Sequence, residues 1–168
     1  MNLDEAVIVA LGGNLASNFG SPQDLLDVAL SRFAQAGLPV VHRSSWWRSA
    51  AWPDPTANEY RNGVVLVETQ QGPEETIRTL FGLEAAFGRR RGAPNAPRTL
   101  DLDLIAHGRS VITTADLILP HPRAAERFFV MGPLAEIAPL WRHPQNGRTA
   151  RDLAKAATIG RDSSPVLV

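Results

Sequence analysis

From Thr99 to Leu104 polar and apolar residues alternate strictly, which is the period of a half-buried strand. The alternation sends Leu100, Leu102 and Leu104 to a core and leaves Asp101 and Asp103 together on the opposite face. Carboxylates two residues apart on a strand sit roughly 7 Å apart at Cα, close enough to converge on metal ions lying between them. Upstream stands Arg89-Arg90-Arg91, and Arg98 immediately precedes the strand. Acidic groups able to hold Mg2+, beside arginines able to hold phosphate oxygens, are the ingredients of phosphoryl transfer. The plainer reading is an edge strand charged against aggregation, next to a solvated arginine loop. The glycine and prolines of Gly92-Ala93-Pro94-Asn95-Ala96-Pro97 favour the chemical reading, because an irregular basic loop delivers Arg98 to the mouth of the strand.

The 168 residues suit one domain, and 44% hydrophobic content is enough for a core. Formal net charge is zero, so no global field draws the chain to nucleic acid or an anionic membrane, and neither is expected as a partner. The absence of cysteine excludes disulfides, thiolate metal sites and cysteine nucleophiles, and suits the cytoplasm. The acidic start Met1-Asn2-Leu3-Asp4-Glu5 is followed by no long apolar run, so neither a signal peptide nor a membrane span is expected. A P-loop kinase is excluded, since no Gly-x-x-x-x-Gly-Lys occurs.

Along the chain, Ala6-Val7-Ile8-Val9-Ala10-Leu11 reads as a buried first strand that stops at Gly12-Gly13-Asn14. Ser21-Pro22 with Asp24 opens a helix carrying Leu25, Leu26, Ala29, Leu30 and Phe33, closed by Gly37. A second strand is expected over residues 40–48 and a third over 60–69, with the prolines between them forbidding regular pairing. Pro73 opens a second helix with Ile77, Leu80, Phe81, Glu84 and Phe87 along it, ended by Gly88, and the Asp-Leu-Asp strand follows. The order is β-α-β-β-α-β, an α+β, ferredoxin-like plan with an antiparallel sheet and helices on one face. Residues 116–144 read as loop-rich with short helices, residues 149–157 as a last helix capped by Thr149, and residues 158–168 as a frayed tail.

Read together, Leu11-Gly12-Gly13-Asn14-Leu15, Tyr60-Arg61-Asn62, Pro97-Arg98-Thr99-Leu100-Asp101-Leu102-Asp103, Leu119-Pro120-His121-Pro122 and Phe129-Val130-Met131-Gly132-Pro133-Leu134 resemble the 6-hydroxymethyl-7,8-dihydropterin pyrophosphokinase family in order and spacing. The resemblance covers residues 6–155. It implies an ATP-dependent diphosphotransferase of folate biosynthesis, which moves the terminal diphosphate of ATP to the pterin hydroxymethyl group and releases AMP. By resemblance Asp101 and Asp103 bind two Mg2+ ions, and Arg89, Arg91 and Arg98 engage phosphates. Arg89 and Arg98 join the aspartates as the catalytic set. His121 and Arg127 match further ATP-contacting positions, Glu84 a helical acid near the nucleoside, and Leu104 is counted with the ATP site.

A pterin needs a flat slot with fixed hydrogen bonds, for which an amide offers donor and acceptor and aromatic faces offer a sandwich. Asn62 and Phe129 match those family positions, Tyr60 matches another pocket position, and Ser49, Ala50 and Trp52 match the loop that finishes the slot. Trp46, Trp47 and Phe128 are read as core or interface aromatics. The chain departs from the family pattern at Pro94, where a charged residue is usual, at Asn95, where some members carry tryptophan, at Ala50 and Ala51, where relatives carry proline, and at Phe81, where some relatives are polar. These departures motivate an alternative, a catalytically weakened pterin-binding paralogue. A nucleic-acid-binding ferredoxin-like module is the other rival, although the aromatic sheet signature of RNA-recognition modules is missing. A monomer acting on ATP and a reduced pterin is expected.

Overall fold

The first strand, β1 (Val7–Gly13), is buried along nearly its whole length, as a continuous apolar run at the centre of a sheet must be. A computed structural model describes residues 1–13, 21–50, 59–87 and 100–166. In it β1 pairs antiparallel with β4 (Tyr60–Val67) on one side and with β5 (Asp101–His107) on the other. Beyond β4 lie β2 (Val40–Arg43) and β3 (Trp47–Ser49), each pairing with it. If β2 and β3 are taken as two pieces of one second strand, the spatial order is fourth, first, third, second, with every neighbour antiparallel. That is the ferredoxin-like order anticipated from the chain.

The second strand is broken where an unbroken run over residues 40–48 was expected. Ser44 interrupts it: its N–H donates to the Val64 carbonyl and its hydroxyl accepts from the Val64 N–H, at 2.9 and 3.0 Å. The break lays the Trp46 ring across Gly63, where a Cβ would come within 2.5 Å of it. No periodicity in the sequence signals such a contact. The first helix, α1 (Pro22–Ser31), opens on a capping box in which Ser21 and Asp24 bond each other's backbone N–H. It ends at Ser31, short of the expected Gly37, which takes a positive φ of 87° in the turns beyond. Phe33 is still fully buried although it lies past the helix. The second helix, α2 (Pro73–Ala86), starts at its proline as expected, and Leu80 and Glu84 are on its buried side.

One face of the sheet, with Val9, Leu11, Val65, Leu102 and Leu104, packs on α1 and α2. The other face is covered as well. Ile8, Val64, Leu66 and Ile105 meet α3 (Phe128–Ile137) and α4 (Ala150–Ala156) in a second core. The sequence reading assigned helices to one face only, and placed α3 inside a loop-rich stretch. The reason is physical: α3 is apolar nearly all round and contains Pro133, so it lacks the amphipathic period that marks a surface helix. The helix α4 is capped by Thr149, whose hydroxyl accepts from Asp152 N–H, as read from the sequence.

A small antiparallel pair, β6 (Ile112–Thr113) and β7 (Ile118–Leu119), follows β5. Residues 158–166 do not fray. Ser164–Pro165 forms β8 against β3, and Thr158 and Ile159 donate to the Glu126 carbonyl at 3.1 and 3.0 Å. Terminal segments of small and polar residues fray by default, but this one is held by backbone partners that sequence does not reveal. Among the described residues no helix is long and apolar enough to cross a membrane.

His143 sits in the turn between α3 and α4, with Nδ1 accepting from the N–H groups of Gln145 and Asn146 at 3.2 and 3.3 Å. Burial pushes its pKa down, and Arg109 adds to the lowering. The unfolded chain therefore takes up this proton at a higher pH than the folded one, and stability falls as pH drops below about 6.5. Replacement His143→Asn keeps an acceptor that does not titrate there. Chemical denaturation between about pH 7 and pH 5 should show a smaller loss of stability for the variant than for the parent. Equal losses would show that His143 does not set this pH dependence.

Candidate active site

Strand register assembles the site. Gly12 of β1 lies opposite Asn62 of β4 on one side and opposite Asp101 of β5 on the other. One step inward, Ala10 lies between Val64 and Asp103. Directly opposed residues point to the same face of a sheet. Asn62, Asp101 and Asp103 therefore share the face that, farther along, carries Ile8, Val64 and Leu66 into the second core. With strands about 4.8 Å apart, Asn62 and Asp101 face each other over Gly12 at about 10 Å between backbones. A Cβ on Gly12 would lie 3.1 Å from the Asn62 Oδ1, so glycine leaves the amide room to lie over β1.

The two aspartates are half-buried, and a register shift in β5 sets where they fall. The shift comes between Ile8 and Val9, which pair with Ala106 and Leu104 and leave Ile105 as the extra residue. Glu84 acts on this strand through its backbone. Its side chain is 1% exposed, and Oε2 accepts the Leu102 N–H at 2.9 Å, at the residue between the aspartates. Glu84 thereby fastens a strand that lies at the edge of the sheet among the described residues.

His121 follows the cis Leu119–Pro120 peptide, and its N–H donates to the Ile105 carbonyl at 2.9 Å. Its Nδ1 accepts the Arg123 N–H at 3.2 Å, which places the ring proton on Nε2. Burial lowers its pKa, the Asp103 carboxylate pulls the other way, and Arg127 and Arg123 reinforce the lowering. The imidazole is therefore a neutral donor near Asp103 at neutral pH. Beside it opens a cavity of about 320 Å³ between α2, β5 and the β6–β7 segment. Ile77, Phe81, Leu102 and Leu104 supply apolar walls, with Leu117 and Ile118 opposite and Asp103, His121 and Asp116 as polar groups. Phe81 and Ile118 are 39% and 46% exposed, an apolar rim suited to a flat ring. Of these, Leu104, Asp103 and His121 were named as site residues from the sequence, and Phe81 only as a departure from the family pattern. Ile77 and Phe81 stand four apart on α2, the spacing that could have marked them as one face.

On the other side, the Asn62 amide is 8% exposed and its Nδ2 donates to the Ser49 hydroxyl at 3.2 Å. Tyr60 is half-buried opposite Ser49, and the Ala50 N–H donates to Asp162 Oδ2 at 2.7 Å. Phe129, half-buried at the start of α3, stands with the Arg127 guanidinium 5.8 Å from its ring centre, which ties the two sides together. Trp46 and Trp47 are buried and Trp47 meets Phe128 edge-on at 5.7 Å, as aromatics of the core would. Arg89, Arg91, Arg98 and Trp52 lie outside the described residues.

A family profile for 7,8-dihydro-6-hydroxymethylpterin-pyrophosphokinase (HPPK) matches residues 8–139. The chain is 43% identical over 143 residues to the 2-amino-4-hydroxy-6-hydroxymethyldihydropteridine pyrophosphokinase of Synechocystis sp., covering 84% of this chain and 71% of that one. It is 37% identical over 128 residues to the protein of the same name in Bacillus subtilis, covering 73% of this chain and 74% of that one. Its fold resembles the crystal structure of wild-type Plasmodium falciparum HPPK-DHPS with a TM-score of 0.70 and 11% identity. That match takes in 97% of this chain and 48% of the other, so the chain spans about half of that structure. The apolar cavity, the paired carboxylates and the buried amide thus stand in a chain that belongs to the HPPK family.

Proposed function

We propose that this chain transfers diphosphate from ATP to 6-hydroxymethyl-7,8-dihydropterin, giving AMP and the pterin diphosphate ester. The observation that carries the reading is the row Asn62–Gly12–Asp101, which sets an amide suited to a pterin edge across one strand from a carboxylate pair suited to metal. The apolar cavity beside Asp103 and His121 suits the nucleoside, with Leu104 in its wall. The two substrates would then approach each other over β1.

Asp101 and Asp103 fit magnesium. Both are hard oxygen donors on one face of one strand, and the described residues hold no cluster of three or more His, Cys, Asp or Glu side chains. Magnesium characteristically takes one or two carboxylates and fills its other positions with water and phosphate oxygens. Two Mg2+ ions on this pair, when bound, neutralise phosphate charge and make the β-phosphorus open to attack. The pterin hydroxyl oxygen bonds to that phosphorus, the bond from it to the oxygen bridging to the α-phosphorus breaks so that AMP leaves with that oxygen, and the hydroxyl proton passes to solvent. On this reading His121, neutral with a proton on Nε2, and Arg127 donate to phosphate oxygens, and Arg89, Arg91 and Arg98 add charge to the same polyanion. Asn62 and Tyr60 orient the pterin, Phe129 stacks on it, and Ser49, Ala50 and Trp52 finish the slot. Glu84 holds the aspartates' strand in place.

The direct test is product analysis. Protein supplied with ATP, the pterin and Mg2+ should release AMP and form no product when chelator removes the metal. Release of ADP would mean attack at the γ-phosphorus and would overturn the reading. Asp103→Asn keeps the size of a half-buried side chain, so its unfolding midpoint should stay close to the parent's while turnover falls by on the order of 10²-fold or more. Parental rates at saturating Mg2+ would remove Asp103 from the metal site, and Asp101→Asn is expected to behave alike. Asn62→Ala should weaken pterin binding by about 1–3 kcal/mol, the range for a buried polar group left without its partner, with ATP binding nearly unchanged. Calorimetry giving equal losses for both ligands would point to a disturbed sheet instead.

A further inference from the structure

We propose that residues 158–166 form a working wall of the pterin half of the site, with Asp162 and Gly160 as its positioning residues. The inference rests on the placement of the pterin at Asn62 and Phe129 given above. The segment lies beyond residues 8–139, which the family profile matches.

Its course is set by bonds at both ends. At the start, Phe128 N–H donates to the Ile159 carbonyl at 2.7 Å, so the tail is fastened where α3 begins, one residue before Phe129. Arg161 then lies with its guanidinium 4.4 Å from the Phe128 ring centre, while Nη1 donates to the Ala154 and Ala157 carbonyls at the end of α4. At the far end, Ser164 and Pro165 pair with Arg48 and Trp47, and Val166 N–H donates to the Trp46 carbonyl at 2.8 Å. The tail thus spans from the root of Phe129 to the strand that carries Ser49 and Ala50.

Between those anchors it touches both pterin-side elements. Gly160 has φ of 78°, and a Cβ on it would lie 2.6 Å from Cδ1 of Phe129. The ring is therefore seated against bare backbone, where any side chain would push it aside. Asp162 Oδ2 accepts the Ala50 N–H at 2.7 Å, at the residue directly after β3. Ala50 adjoins Ser49, whose hydroxyl takes the Asn62 amide at 3.2 Å. Asp162 thereby fixes the strand end that orients Asn62, and Gly160 fixes the seat of the Phe129 ring. Neither residue reaches the nucleotide cavity, whose lining comes from α2, β5 and the segment around β7.

The test separates the two substrates. Asp162→Ala should raise the dissociation constant and KM for the pterin by about two- to tenfold, the range for one lost hydrogen bond. The KM for ATP should stay within twofold, with kcat little changed. Asp162→Asn, whose Oδ1 still accepts the Ala50 N–H, should restore pterin affinity. Ala50→Pro removes the donor, since proline has no N–H, and in that background Asp162→Ala should have no further effect. Gly160→Ala should weaken pterin binding through Phe129 in the same selective way. If both tail variants bind pterin as the parent does while Asn62→Ala binds it poorly, the tail is a structural strap and the inference is wrong. If Asn62→Ala also binds normally, the pterin lies elsewhere and the inference falls with that placement. Equal loss of ATP and pterin affinity would likewise overturn it.

Discussion

The pairing register of β1 is the constraint on which the rest depends. Because β1 is bonded on both sides, a single strand decides which residue of β4 and which of β5 stand in one row. The side-chain period of a strand is two, so a slip of one residue would turn Asn62, Asp101 and Asp103 to the α1–α2 side and bring leucines to the site. Such a slip is costly because both faces are buried. Val9, Leu11, Leu102 and Leu104 fill one core and Ile8, Val64, Leu66 and Ile105 the other. Each core is packed to fit its own side chains, and forcing several of them into the wrong layer, at about 1–3 kcal/mol each, removes much of the stability of an ordinary domain. Packing on two sides thus guards the geometry of a site that itself contributes little to packing.

The edge of the sheet raises a separate problem. Asp101 and Asp103 lie on β5, which among the described residues has a sheet partner on one side only, and an edge strand is free to bend. Glu84 answers this from α2. A carboxylate bond to the Leu102 N–H is stronger than a neutral one, and the near-complete burial of Glu84 keeps water from competing for it. Farther along the strand, the His121 N–H donates to the Ile105 carbonyl. The strand is therefore pinned by groups that need not touch substrate, and the aspartates keep their separation when charge arrives.

The site is also divided in its electrostatics. Around Asp103 the arginines at 123 and 127 and the neutral His121 make a donor-rich side suited to a polyanion. Around Asn62 the partners are a hydroxyl, a backbone amide and aromatic faces, a side suited to a neutral heterocycle. Arg127, lying against Phe129, is where the two environments meet. A polar but uncharged substrate and one that carries several charges would on the proposed reading meet different chemistry on the two sides.

Much of this was legible in the chain. The alternation from Thr99 to Leu104, the prolines opening α1 and α2, and the Thr149 cap follow from local periods and from the chemistry of helix ends, which act over a few residues. The motifs around Asn62, Asp101, Asp103 and His121 pointed to the family, and its membership agrees. Other features were beyond reach because they are contacts between distant segments. The kink at Ser44 depends on Trp46 crossing Gly63, and α3, which contains Pro133 and is apolar nearly all round, carries no stripe to announce it. The inward turn of Glu84 to Leu102 and the docking of residues 158–166 on β3 and α3 were equally hidden. Sequence by itself determined which residues could form strands, caps and a carboxylate pair, since those depend on neighbours along the chain. Only the tertiary structure decided that Asn62 and Asp101 meet across Gly12 and that the tail closes on Phe129, because backbone pairing and packing join residues that the chain keeps far apart.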